Sequence, residues 1–185
     1  MRRARSLTVA SVVVAAALAS AMPRPARAAS AAELNRESAA ALRDLYARQP
    51  SAKVLGQKAV GILVFPGIVK AGFMFGGQIG EGVLRKNGRV AGYYNSVAAS
   101  YGFQAGVQKF GYALFFMNDA ALNQLDATKG FEIGSGPSLV VVDQGIGRSV
   151  TSNTITSDVY AFIFDQKGLM AGIGIQGSKI TRIKK

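Results

Sequence analysis

Outside its first residues, the densest cluster of functional groups in this 185-residue chain is Arg85-Lys86-Asn87-Gly88-Arg89, three cations in five positions. Asn87-Gly88 lies between two apolar stretches, Val83-Leu84 and Val90 to Tyr93. That pattern predicts a two-residue hairpin turn, whose central residues both need positive φ. Such a turn fixes the backbone and sends the three charges out together from one strand end. The chemistry open to them is anion binding: near an anionic bilayer each basic residue adds about 1 kcal/mol of attraction. Lys70, after Pro66-Gly67, and Lys53 and Lys58, earlier still, are further candidates for the same patch. In a straight strand Lys70 would stand roughly 40 Å from the tip, so the tip ranks first and Lys70 second. A solvated face with no ligand is the competing reading for any one basic cluster.

Other chemistries are closed by composition. There is no His and no Cys, so Ser-His-Asp and Cys-His arrangements, His- or Cys-based metal sites and disulfides are all unavailable. Ser51 with Lys53 and Ser178 with Lys179 are Ser-Lys neighbours, but neither pair sits in a nucleophile turn, and adjacent strand residues face opposite ways. The carboxylates are scattered singly. Glu81 alone stands out, in an apolar, glycine-rich stretch. It is either a buried polar contact or ligand site, or a carboxylate near a sheet edge paired with Lys or Arg. Gly172 to Gly177 spells G-x-G-x-x-G, yet no helix and no later acidic residue follow, as a dinucleotide site requires. The expectation is a non-enzymatic protein with no catalytic residue, metal or cofactor.

The start of the chain bears on location. Arg2, Arg3 and Arg5 precede an uncharged run from Leu7 to Met22, and Ala26-Arg27-Ala28 follows. Basic start, apolar middle and small-x-small exit make a secretory signal, and the run is shorter than the ~20 residues of a spanning helix. Cleavage is expected after Ala28, with Ala21 as the alternative, leaving 29–185 as one domain. Loss of five Arg lowers the formal charge from +12 to +7, an excess that favours anionic partners. The expected setting is the periplasm, peripheral to a membrane, with no nucleic-acid partner and, without Cys, no thiol for a covalent lipid anchor.

Several elements must position these residues. Apolar spacing of three, four and seven through Leu34, Ala41, Leu42, Leu45 and Tyr46 predicts a helix over 29–48. Pro50 ends it, and a second helix over 51–58 would take Ser51 as N-cap. Strands follow: 60–65, stopped by Pro66-Gly67, then 71–84, with Phe73, Phe75, Ile79 and Val83 on one face and Gly72, Gly76, Gly80 and Gly82 on the other. That bare face invites close approach by another backbone or a helix. Residues 72–84 are weakly echoed by 102–114, which predicts similar strands in one sheet. Asn118 caps a helix to Thr128 that carries Ala121, Leu122 and Leu125. Further strands are expected at 131–133, 138–143, 159–164, 169–175 and 179–183, with turns at 145–147 and 167–168. The fold class is α+β: a mainly antiparallel β barrel or sandwich with N-terminal helices and one short internal helix.

The run from Ala59-Val60-Gly61-Ile62-Leu63-Val64-Phe65-Pro66-Gly67 to Gly72-Phe73 resembles the opening of the SYLF domain. Gly76-Gly77-Gln78-Ile79-Gly80-Glu81-Gly82, Gly92-Tyr93-Tyr94, Gly102-Phe103-Gln104-Ala105-Gly106 and Ala161-Phe162-Ile163-Phe164 continue it. The resemblance implies a non-enzymatic domain that binds acidic phospholipids, partly through a basic N-terminal segment that would fall at Arg36 to Lys58 here. Some fungal relatives also bind actin. This chain departs from the pattern in that the helix is Ala-rich and mixed in charge, with Glu33, Glu37 and Asp44. The alternative is a cell-envelope structural or adaptor protein with an acidic protein or polymer as partner.

Overall fold

The computed structural model describes residues 29–126, 130–142, 155–168 and 174–185, side chains of 73–75 and 100–105 excepted. The expected signal at 1–28, the turn at 145–147 and most of the strand expected at 169–175 lie outside those residues. Helix α1 spans Ala31–Arg48, with Ser30 as N-cap accepting from the Glu33 N–H at 3.2 Å. It buries Leu34, Ser38, Ala41 and Leu45, the 3.6-residue stripe of a helix packed on one side. Helix α2 spans Pro50–Lys58. Pro50 takes its first position, where a missing N–H leaves no bond unmade. Ser51 is therefore not the cap: Gln49 holds that place without a side-chain bond, and Ser51 is buried in the first turn.

Strands β1 (Gly61–Lys86) and β2 (Arg89–Phe116) form one long antiparallel hairpin, paired from Lys86↔Arg89 to Gly61↔Phe116. Asn87 and Gly88 turn it with φ of 50° and 75°, the double positive φ that the Asn-Gly pair predicts. Pro66-Gly67 does not stop the strand. A register shift between Phe65 and Ile68 absorbs both residues, a place where Pro needs no ladder N–H. The echoing segments 72–84 and 102–114 fall on these paired strands, with Gly72 opposite Gly106.

Helix α3 (Asp119–Asn123) continues as a 3-10 turn to Asp126, and Asn118 Oδ1 accepts from the Ala121 N–H at 2.8 Å. Its apolar residues Ala121, Leu122 and Leu125 are buried in the main core. Strands β3 (Phe131–Glu132), β4 (Leu139–Val141), β5 (Val159–Gly168) and β6 (Lys179–Ile183) complete a six-stranded sheet among the described residues. β6 lies along residues 93–97 of β2 and β5 along 108–116; β3 borders β6, and β4 borders β5. The β4–β5 pair is parallel, an exception to the antiparallel expectation, which the long connection from 142 to 158 permits. Lys167 and Gly168, expected as a turn, instead pair with Lys109 and Gln108 inside β5.

The long hairpin doubles back across its middle. A methyl carbon placed on Gly80 would lie 2.5 Å from Ile68 Cδ1 and 2.6 Å from the Gly67 carbonyl oxygen, and one on Gly82 would lie 2.6 Å from Phe65 Cδ1. On β2, the Tyr112 hydroxyl donates to Ser96 Oγ at 2.7 Å, sixteen residues away. The bare face is thus the inner face, where glycine lets the halves of β1 meet. The sheet is a curled half-barrel. Its interior holds Leu63, Phe65, Ile68, Tyr94, Phe110 and Phe116. Its outer face carries Ile62, Val64, Ala113, Phe115 and Phe162 against Ala41, Leu45 and Leu55 of the helices. Residues 62–65 are thus buried on both sides, which accounts for an unbroken apolar run instead of alternation. No helix among the described residues is long and apolar enough to cross a membrane.

Candidate functional site

Lys86 and Arg89 face each other across the last rung of the hairpin and are both exposed. Among the described residues, no carboxylate lies within ion-pair distance of either. Arg85 does not project with them. Its guanidinium turns to α1, donating to the Asn35 carbonyl at 3.0 Å and Ser38 Oγ at 3.4 Å, and also to the Gly88 carbonyl at 3.4 Å. Arg85 ties the hairpin to the helix, and the tip presents two outward cations.

The start of β1 lies beside the far end of the same strand: a methyl on Gly61 would be 3.4 Å from Leu84 Cδ1. This places Lys58, exposed in the last turn of α2, at the tip's end of the molecule, with Lys53 exposed on the same helix. Lys70 is remote. It pairs with the buried Gln108, so it faces the inside of the curl and is half-buried. The doubling of β1 shortens the straight-strand distance but returns the tip toward Gly61. Nine residues of strand, roughly 30 Å, still separate Lys70 from that end.

Glu81 is paired with Lys185, Nζ to Oε2 at 2.6 Å, and the same ammonium donates to the Ala29 carbonyl at 2.5 Å. It is the paired carboxylate of the two readings. Neither Ser-Lys neighbour is assembled for catalysis. Ser178 is buried and accepts from Gln78 Nε2 at 2.7 Å while Lys179 is exposed; Ser51 is buried and Lys53 exposed. Gly177, last of the glycine motif, sits in a turn at φ 73° and donates its N–H to the Ile133 carbonyl at 2.8 Å.

Two polar clusters serve the fold. The Tyr94 hydroxyl donates to Asp126, which also receives Arg182 at 3.1 Å. Burial first, then the Asp126 carboxylate, pushes the Tyr94 hydroxyl up to about 12. Asp158 accepts from the hydroxyl and N–H of Ser138 at 2.8 and 3.0 Å and from Asn118 Nδ2 at 2.7 Å, and these bonds hold its carboxyl below the usual range.

Lys109 and Lys167 were not among the cations that the sequence singles out. They stand directly opposite each other on β2 and β5, both exposed. Fifty-eight positions apart, they form no local cluster, and only the β2–β5 register brings them together.

The described residues thus form a curled sheet jacketed by helices on one face and carrying outward cations at the hairpin tip. Residues 97–185 match the family model Ysc84, described as Las17-binding protein actin regulator. Over those residues the chain is similar to the SYLF-domain family. The general role that the family supports is lipid binding. The match starts at Val97, within β2, and spans just under half of the chain. β1, where the resemblance of 59–73 lies, is outside the match but pairs with β2 along its whole length. No curated protein matches the chain in sequence.

Proposed function

We propose that this protein binds acidic phospholipids peripherally at a membrane surface and catalyses no reaction. The carrying observation is the pair of outward cations, Lys86 and Arg89, held on a rigid two-residue turn in a chain similar to a lipid-binding family. Lys58 and Lys53 lie on the helix leading to that end and extend the positive surface. Charge also supports the reading, since a +7 domain is drawn to anionic headgroups. The absence of His and Cys and the separated Ser-Lys neighbours support a binding role over a catalytic one. The signal-like start supports export, which would put phosphatidylglycerol or a similar anionic lipid at the periplasmic face within reach.

Co-sedimentation with phosphatidylglycerol and phosphatidylcholine vesicles tests the proposal. Binding to the first and not the second is expected. Equal binding to both, or to neither, would reject it. The second reading, an adaptor with an acidic protein or polymer partner, draws on the protein-binding description of the matched family. It predicts an acidic partner retained where vesicles are not.

A further inference from the structure

The exposed apolar side chains are not scattered over the molecule. Of the six large hydrophobic residues exposed among the described residues, four lie where the β1–β2 hairpin doubles back: Val69 (43 %), Ile79 (59 %), Val97 (43 %) and Val107 (64 %). They share one face. Ile79 is directly opposite Val97, Val107 is opposite the exposed Ala71, and Val69 is opposite Lys109; directly paired residues project to the same side of a sheet. The interior of the curl is the other face, where Ile68, Gln78 and Gln108 are buried. The exposed residues therefore line the convex outside of the bend.

Basic residues flank this apolar surface. The row that begins at Val69 continues through Lys109 to Lys167, and the row Ile79–Val97 continues to Lys179 on β6. Glu132 lies beyond Lys179 on β3, so that side is mixed. Among the described residues the Lys109–Lys167 pair has no carboxylate paired to it, and the acid on β5, Asp165, is held by Arg48 at 2.8 Å. From Val69 to Gly80 and from Ser96 to Asn118 the chain contains no Asp or Glu. Two like charges directly opposite each other destabilise a sheet, and an anion between them removes that cost.

The geometry points to the convex bend as the membrane-docking surface: its apolar side chains enter the headgroup–acyl boundary of an anionic bilayer while Lys109 and Lys167 meet lipid phosphates. The inference rests on the lipid-binding reading above and deepens it, because it moves the principal contact from the hairpin tip to the opposite end of the molecule. A bilayer fits this surface chemically. Exposed aliphatic residues bordered by lysines match an apolar layer bordered by anions, the arrangement by which interfacial segments bind.

The chain contains no Trp, so one introduced Trp reports depth without background. Ile79→Trp probes the bend and Val90→Trp the hairpin tip, where Val90 is 40 % exposed; neither site is in the core. With phosphatidylglycerol vesicles containing brominated acyl chains, the expected result is a blue shift and quenching for Ile79→Trp and neither for Val90→Trp. In parallel, the Ile79→Thr/Val107→Thr double variant should bind at least tenfold more weakly than the parent, and Lys109→Gln or Lys167→Gln about fivefold each, the equivalent of ~1 kcal/mol per lysine. Quenching at Val90→Trp alone, at both positions equally, or at neither while the protein still sediments with vesicles would overturn the bend and leave lipid binding standing. Unchanged affinity of the Thr double variant would do the same. Failure of the parent protein to sediment would remove the lipid reading itself.

Discussion

Gly80 and Gly82 let a 26-residue strand fold back on itself. A Cβ at Gly80 would be 2.6 Å from a backbone oxygen, which cannot swing aside as a side chain can. Gly80→Ala should therefore cost about 2 kcal/mol by overpacking, a fall in melting temperature of roughly 4–8 °C for a domain this size. Gly77→Ala is the control, since its nearest neighbour would be 3.5 Å away, an ordinary contact. Equal melting temperatures for the two variants would mean that the halves of β1 do not meet at Gly80. Asp158 supplies a pH effect. Its folded carboxyl is depressed by the bonds from Ser138 and Asn118, so its stabilisation is complete above the ordinary Asp value of about 3.9. It is lost as pH falls through the lower folded value. Urea midpoints across pH 2 to 7, on the order of one point per unit, should show a shallower acid loss in Asp158→Asn than in the parent. Superimposable profiles would contradict the assignment.

At the scale of elements, the hairpin separates two kinds of cation. Arg85 serves folding, so Arg85→Ala should destabilise by about 1–2 kcal/mol through its lost bonds to Asn35 and Ser38. Lys86→Glu/Arg89→Glu should leave stability within about 0.5 kcal/mol, as surface changes do, and weaken binding to anionic vesicles by less than Lys109→Gln or Lys167→Gln, since the tip lies away from the bend. If Arg85→Ala instead weakens vesicle binding while stability holds, Arg85 faces lipid. The hairpin itself was legible because Asn-Gly has one main conformational use, and the strand at 179–183 and the Asn118 cap were legible for similarly local reasons. Pro66-Gly67 and Lys167-Gly168 misled because turn-like residues were tolerated inside strands once register shifts and pairing partners were available. Local sequence placed Arg85 with its neighbours at the tip; only the helix packed beside it, fifty residues earlier, shows why it turns inward. The bend face was half legible. Ile79 stood out as apolar, but its exposure and the Lys109–Lys167 pairing depend on how distant strands meet.

For the molecule as a whole, export and lipid binding are two parts of one reading. Cleavage after Ala28 predicts a mature N-terminus at Ala29, checked by N-terminal sequencing of the periplasmic fraction; recovery of intact Met1 in membranes would reject release. The doubled hairpin separates the tip cations from the convex bend, so the protein offers a membrane two ends of different character. On the proposed reading both ends require anionic lipid, and charges exposed to solvent are screened beyond ~8 Å at physiological ionic strength. The most direct measurement is partition of the mature protein onto vesicles as the phosphatidylglycerol fraction is raised from none, at low and at high salt. The expected result is negligible binding to pure phosphatidylcholine, a steep rise with phosphatidylglycerol, and weaker binding at high salt for every composition. Equal partition onto pure phosphatidylcholine and phosphatidylglycerol vesicles, unchanged by salt, would contradict the account.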